Sequence, residues 1–218
     1  MTYTAYDGEY ARLCIASSSD LKNWTKHGLA FARHPEDIYV NLWSKSGAIV
    51  SVYGEDGSIT ARKVGGLYWM YWGDKDLYLA TSQDLITWAP VLDSTGALLP
   101  ILSPRPQMFD SDLVEPGPPA LVLDSMILLL YNSRNFGGQR DTTIAEGTYS
   151  AGQVLFDLKD PSRVIRRSEQ PFFVPDREYE ISGQVNRVVF VEGLVRWSGQ
   201  WFMYYGTADS KIAVAQMR

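Results

Sequence analysis

Ser18-Ser19-Asp20-Leu21-Lys22-Asn23-Trp24 and Ser82-Gln83-Asp84-Leu85-Ile86-Thr87-Trp88 are two copies of one pattern, S-x-D-L-x-x-W, 64 residues apart. What precedes each copy matches too. Tyr3-Thr4-Ala5-Tyr6-Asp7-Gly8 and then 12–17 lead into the first; Tyr68-Trp69-Met70-Tyr71-Trp72-Gly73-Asp74 and then 77–81 lead into the second. Aromatic and apolar runs on either side of a polar turn read as paired antiparallel strands. An Asp in such a turn bonds local backbone N–H groups. Asp20 and Asp84 are therefore read as structural, and Trp24 and Trp88 as packing residues folded back onto the sheet. Two looser copies follow. One starts at Ile127-Leu128-Leu129-Leu130-Tyr131-Asn132. The other is Trp201-Phe202-Met203-Tyr204-Tyr205-Gly206, a turn through Asp209, then Ile212-Ala213-Val214-Ala215.

Four strand–turn–strand units at a period of about 60 residues predict an all-β protein of the β-propeller type, with 1–218 as one domain. The rival fold is a β-sandwich, whose turns recur every 8–12 residues or so without a longer period. No stretch holds a helical period, and Pro100, Pro104, Pro106, Pro116, Pro118 and Pro119 crowd a short segment. With four units recognisable and the chain opening inside a strand at Met1-Thr2-Tyr3-Thr4, the ring is expected to be N-terminally truncated and incomplete. Open sheet edges then favour self-association.

The composition, 45% hydrophobic and 21% charged, is that of an ordinary globular domain. A net charge of −5 argues against a nucleic-acid partner, and Arg62-Lys63 and Arg166-Arg167 are read as solvated surface. Cys14 is the single cysteine, so no intrachain disulfide forms; within Leu13-Cys14-Ile15-Ala16 it is expected to be buried. Neither a zinc spacing nor a nucleotide loop is present, and His27 and His34 are assigned to surface loop; no metal or organic cofactor is expected. No apolar run approaches the roughly 20 residues of a membrane helix. Residues 1–20 lack a signal-peptide pattern. The expected location is cytoplasmic, with periplasmic or secreted destinations opened by any upstream segment.

Seven segments, in order along the chain, resemble glycoside hydrolase family 130, the β-mannoside phosphorylases and related β-mannosidases on a five-bladed propeller. They are Tyr3–Gly8, Trp43–Gly47, Val114–Ala120, Leu155–Pro161, Arg167–Pro175, Val189–Val195 and Tyr204–Ser210. The resemblance implies a mannoside or other oligosaccharide as substrate. It places the general acid, an Asp, just upstream of the strand that reads Tyr3–Gly8 here, so this chain by itself is expected to be inactive or impaired. Of the phosphate-binding cations it implies, Lys45 is kept. The other two positions read Gly73-Asp74 and Tyr131-Asn132, and Glu115 stands where a small or apolar residue is usual. Fewer charge-assisted contacts weaken a dianion site. The resemblance therefore points to an inverting β-mannosidase. A β-mannoside phosphorylase and a non-catalytic carbohydrate-binding propeller are the alternatives.

An inverting glycosidase needs an acid and a base with carboxyl groups about 6.5–9.5 Å apart. Glu115, in Glu115-Pro116-Gly117-Pro118-Pro119, and Glu192, before Gly193, are the candidate bases; the plainer reading is a solvated carboxylate at a strand end. Asp209 matches the family's sugar-binding Asp, and Tyr205 stands beside it. Tyr6, Asp7, Lys45, Arg105 and Asn132 complete the candidate substrate-binding set. Asp7 reads equally well as a turn residue, while Asp157 and Asp160 read as turn residues only. No G-x-S-x-G elbow suggests a nucleophilic serine.

Overall fold

A computed structural model describes residues 1–32, 39, 40 and 42–217; His34 lies outside them. The described chain is built from strands, with one short helix. The first sheet is β1 (Thr2–Tyr6), β2 (Ala11–Ser17) and β3 (Thr25–Leu29), paired in that order. A second group contains β4 (Ser46–Tyr53), β5 (Ile59–Ala61), β6 (Lys63–Val64), β7 (Leu67–Gly73), β8 (Tyr78–Ser82) and β9 (Ala89–Pro90). A third contains β10 (Leu113–Pro116), β11 (Ala120–Leu123), β12 (Met126–Asn135), β13 (Thr148–Asp157) and β14 (Val164–Arg167). After α1 (Glu178–Ile181), the last sheet is β15 (Val189–Trp197), β16 (Gln200–Thr207) and β17 (Lys211–Met217). The second and third groups join through a short parallel contact, Ala120 with Val50 and Leu121 with Ser51; every other strand pair is antiparallel. No helix among the described residues is long and apolar enough to cross a membrane.

Period-two alternation explains how the groups stack. Side chains of a strand alternate between the faces of its sheet. On β7, Met70 and Trp72 join one core with Leu13, Phe31 and Trp88, while Tyr71 between them joins another with Leu77, Leu129 and Phe156. On β12, Ile127, Leu129 and Tyr131 enter that second core, and Leu130 faces a third with Val189, Val191 and Met203. Each middle group is thus apolar on both faces, which is why β7 and β12 read as continuous hydrophobic runs. Burying a large side chain in this way stabilises by about 1.5–3 kcal/mol.

The repeat turns form as their sequence predicts. Asp20 Oδ1 accepts N–H bonds from Lys22 (2.9 Å) and Asn23 (2.8 Å), and Asp84 Oδ1 those of Ile86 and Thr87 (both 2.8 Å). Asp157 and Asp160 likewise bond the N–H groups of Lys159 and Ser162, and Cys14 is buried. Two expectations need correction. Trp88 is packed at 1% exposure in a core with Leu13, Ala30 and Phe31 from the first sheet, but Trp24 is 39% exposed and joins none of the cores among the described residues. Arg167 is not solvated surface. Its guanidinium bonds Asp110 Oδ2 (2.6 Å), the Tyr131 hydroxyl (3.1 Å) and the Ser103 carbonyl (2.8 Å).

Candidate active site

The first strands of the four groups face a shared space. Thr2, Thr4, Lys45, Gly47, Gly117 and Glu192 help to line a cavity of about 420 Å³. A second, of about 270 Å³, shares Thr4, Lys45, Ser46 and Glu192 with it and adds Glu115, Tyr149 and Asp209. The Thr2 and Thr4 hydroxyls donate to the Gly47 (3.0 Å) and Lys45 (2.8 Å) carbonyls, locking β1 beside the approach to β4. Four of the residues singled out in the sequence therefore meet here: Lys45, Glu115, Glu192 and Asp209.

Charge in this space is predominantly negative. Lys45 Nζ lies 2.9 Å from Asp74 Oδ1 and 3.8 Å from Glu115 Oε1. Gly73, at φ +138°, lets the chain turn so that Asp74 reaches that lysine; a Cβ there would lie 2.0 Å from the Asp76 carbonyl oxygen. Burial pulls the Lys45 ammonium down, but Glu115 and Asp74 outweigh it and leave the group more firmly protonated than usual. Glu115 is 1% exposed, and its Oε1 has no hydrogen-bond partner among the described residues. Burial drives its carboxyl well above the ordinary range; Lys45 opposes this, and the charges of Asp74 and Glu192 reinforce it. With Lys45 bonded to Asp74, Glu115 keeps its proton at neutral pH. Glu192 is reached by water through the cavity, yet protein walls it on several sides, and this desolvation lifts its carboxyl to about 7. Two carboxyls whose environments separate their pKa values are the raw material of acid–base division of labour.

The other candidates lie elsewhere. Arg105 is committed to structure: it bonds both oxygens of buried Asp110 (3.1 and 2.8 Å) and the Ser168 carbonyl (2.8 Å). Asp7 is a turn residue whose Oδ1 accepts from Glu9 (2.9 Å) and Tyr10 (2.8 Å); with Arg12 beside it, its carboxyl is held far below the usual range. Tyr6 is exposed, its ring 6.2 Å from that of Trp43, and does not line either cavity. Tyr205 offers no face to a ligand, because strand alternation turns it into the core, where its hydroxyl donates to Glu180 (2.6 Å) and its ring meets Phe173 edge-on. Asn132 is fully buried and bonded to the backbone of Val191. Asp74 and Thr4 belong to the site without having been singled out as candidates; the resemblance had marked Gly73-Asp74 only as the place of a missing cation.

A cavity at the meeting point of several sheets, lined by carboxyls and hydroxyls, is the kind of surface that carbohydrate-active proteins present. Glycoside hydrolase family 130, described as β-1,4-mannooligosaccharide phosphorylase, matches residues 1–218, and the chain belongs to this family. It is 29% identical over 220 residues to a β-1,2-mannobiose phosphorylase of Thermoanaerobacter sp. (strain X514), covering 99% of this chain and 61% of that relative. A solved glycosyl hydrolase from Bacteroides ovatus superposes with a TM-score of 0.96 at 45% identity, covering 99% of this chain and 60% of that one. Another solved family member, described with glycoside hydrolases that target β-1,2 mannosidic linkages in Candida mannan, gives 0.97 at 44% identity, with 100% and 61% covered. The chain thus spans about three-fifths of the length of these relatives.

Proposed function

We propose that this chain carries part of a β-mannoside-cleaving site, that its four sheet groups are blades of a five-bladed propeller, and that water is the acceptor at the cavity. The observation that carries the choice of acceptor is the occupation of Lys45. A phosphate dianion needs uncommitted cations. Here Lys45 is held by Asp74 at 2.9 Å, with Glu115 at 3.8 Å, and Asn132 is bonded to Val191. Anionic phosphate would enter against Asp74, Glu192 and Asp209. Water suffers no such repulsion, and Glu192, its carboxyl lifted by burial to about 7, is suited to take its proton. Glu115 fits better as a proton-bearing neighbour than as the base. Asp209 supports binding of sugar hydroxyls. The solved relative described with β-1,2-mannosidic hydrolysis, at 44% identity, supports the same reading.

The second reading is phosphorolysis. The family's description and the similar mannobiose and oligomannan phosphorylases favour it more directly than hydrolysis. The two separate cleanly. The protein, as its gene encodes it in full, is incubated with β-1,2-mannobiose with and without inorganic phosphate, and its products are resolved. Mannose release that is indifferent to phosphate is expected. Phosphate-dependent mannose 1-phosphate would establish the second reading, and inertness toward every β-mannoside would sink both.

A further inference from the structure

Glu192 sits at an irregularity of its strand. β15 pairs with β16 as Val191 opposite Tyr205 and then Gly193 opposite Tyr204, so Glu192 is the extra residue of a bulge. A bulge disrupts the ladder and re-aims the side chain it carries. It also leaves the local direction of that side chain poorly determined unless something outside the ladder holds the backbone. β15 is moreover an edge of its sheet, where backbone groups facing away from the neighbour need another partner.

Val191 finds that partner in one side chain. Its N–H donates to Asn132 Oδ1 (2.7 Å), and its carbonyl accepts from Asn132 Nδ2 (2.9 Å). Asn132 comes from β12, in the neighbouring group, and is 0% exposed. A primary amide offers a donor and an acceptor in one plane, so here it replaces a strand partner for the residue just before the bulge. From the other side, Gly117 leaves room for the same carbonyl: a Cβ there would lie 3.0 Å from the Val191 oxygen and 2.9 Å from that of Leu130. Asn132 is also the residue opposite Glu115 in the β10–β12 register. One residue of β12 therefore stands opposite Glu115 in its own sheet and, through its amide, grips the strand that carries Glu192.

We propose that Asn132 is a positioning residue: by gripping both backbone groups of Val191 it fixes the bulge and so aims the Glu192 carboxylate into the cavity. This rests on the reading of Glu192 as general base. Asn132 touches no ligand in this scheme and acts only through Glu192. Leucine at 132 removes both bonds. Aspartate keeps the shape but sets a carboxylate oxygen against the Val191 carbonyl.

The test uses the protein as encoded in full, with β-1,2-mannobiose as substrate and folding checked by circular dichroism. Asn132→Leu and Asn132→Asp should each lower kcat by about 10²-fold, the scale of a misplaced reacting group, with KM nearly unchanged. The rising limb of the pH profile near 7 should move, and neither change should cost anything further in a Glu192→Gln background. A folded Asn132→Leu protein at wild-type kcat would overturn the proposal. So would a raised KM with intact kcat, which marks direct ligand contact, or a loss that multiplies fully with that of Glu192→Gln. Should neither Asn132 variant fold, Gly117→Ala, which presses on the same carbonyl, must give the same kcat loss or the proposal fails. Wild-type turnover in Glu192→Gln overturns the base reading itself; a loss there beside unaffected Asn132 variants overturns only the positioning.

Discussion

Asp110 and Glu115 lie five residues apart, and both are buried, at 0% and 1% exposure, but their surroundings are opposite. Asp110 has a surplus of donors: two guanidiniums, from Arg105 and Arg167, and the Tyr131 hydroxyl at 2.8 Å. Glu115 has a deficit. Its one cation, Lys45, is nearer to Asp74, and its Oε1 is unbonded among the described residues. A buried charge is tolerated when it is paired and fully hydrogen-bonded. Asp110 meets that condition and pins three segments of chain together. Glu115 does not, so it holds a proton and faces a cavity. The number of donors, more than burial, separates the carboxylate that builds the fold from the one available to chemistry.

The largest expected effect falls on the donor-poor side. Glu192→Gln should reduce turnover of β-1,2-mannobiose by about 10²–10⁴-fold, the usual cost of losing a general base. Wild-type kcat/KM should rise as pH climbs through about 7, where Glu192 ionises, and the variant should lack that limb. A pH profile on the protein as encoded in full checks both. Next in size is the donor-rich side. Asp110→Ala strands Arg105 and Arg167 beside the core, and breaking a buried pair costs about 3–5 kcal/mol. Urea titration at constant m-value reads this directly; a loss under about 1 kcal/mol would erase the contrast.

The repeat was legible because local chemistry writes it. A turn Asp bonds the N–H groups two and three residues on, and Asp20 and Asp84 both do so. What lies between repeats was not legible. Trp24 and Trp88 occupy equivalent positions, yet only the second joins a core. Glu115 and Glu192 were marked out by Gly and Pro neighbours and do approach each other. Their different protonation, however, depends first on how deeply the fold buries each and then, for Glu115, on Lys45 and Asp74, which arrive from separate loops. Arg105, between two prolines with Asp110 close by in sequence, read as reaching either the site or only the surface; its bonds to Asp110 and to Ser168, from a distant strand end, hold it in the fold instead. Asn132 read as a lost cation, and its grip on Val191 crosses between groups in a way that no periodicity records.

Smaller effects test whether Glu115 is as poorly compensated as it looks. Its carboxyl is raised in the folded chain, so between the ordinary carboxylate range and that raised value the folded state binds more protons than the unfolded one. Stability must then fall as pH rises through this window. Glu115→Gln removes the titrating group and should flatten the fall. Relative to wild type, the variant should gain thermal stability at pH 8 and gain little at pH 5. Melting temperatures at the two values check this, and an equal shift at both would mean that Glu115 is ionised throughout.

The smallest effect is the most specific, because it turns the donor-poor carboxyl toward the donor-rich state without touching it. In Asp74→Asn, the 2.9 Å competitor for Lys45 loses its charge. The ammonium then has Glu115, at 3.8 Å, as its nearest carboxylate partner. Two contributions that hold Glu115 protonated, the Asp74 charge and its contact, are weakened together, while burial remains. The Glu115 carboxyl should therefore titrate lower, by about one pH unit, which corresponds to about 1.4 kcal/mol of differential interaction. The measurable consequence is a shallower decline of stability between pH 5 and pH 8 than in wild type, though not as shallow as in Glu115→Gln. If the decline in Asp74→Asn matches wild type, Asp74 does not govern Lys45, and Glu115 is raised by burial alone. If it matches Glu115→Gln, the shared lysine is the whole cause and burial contributes nothing.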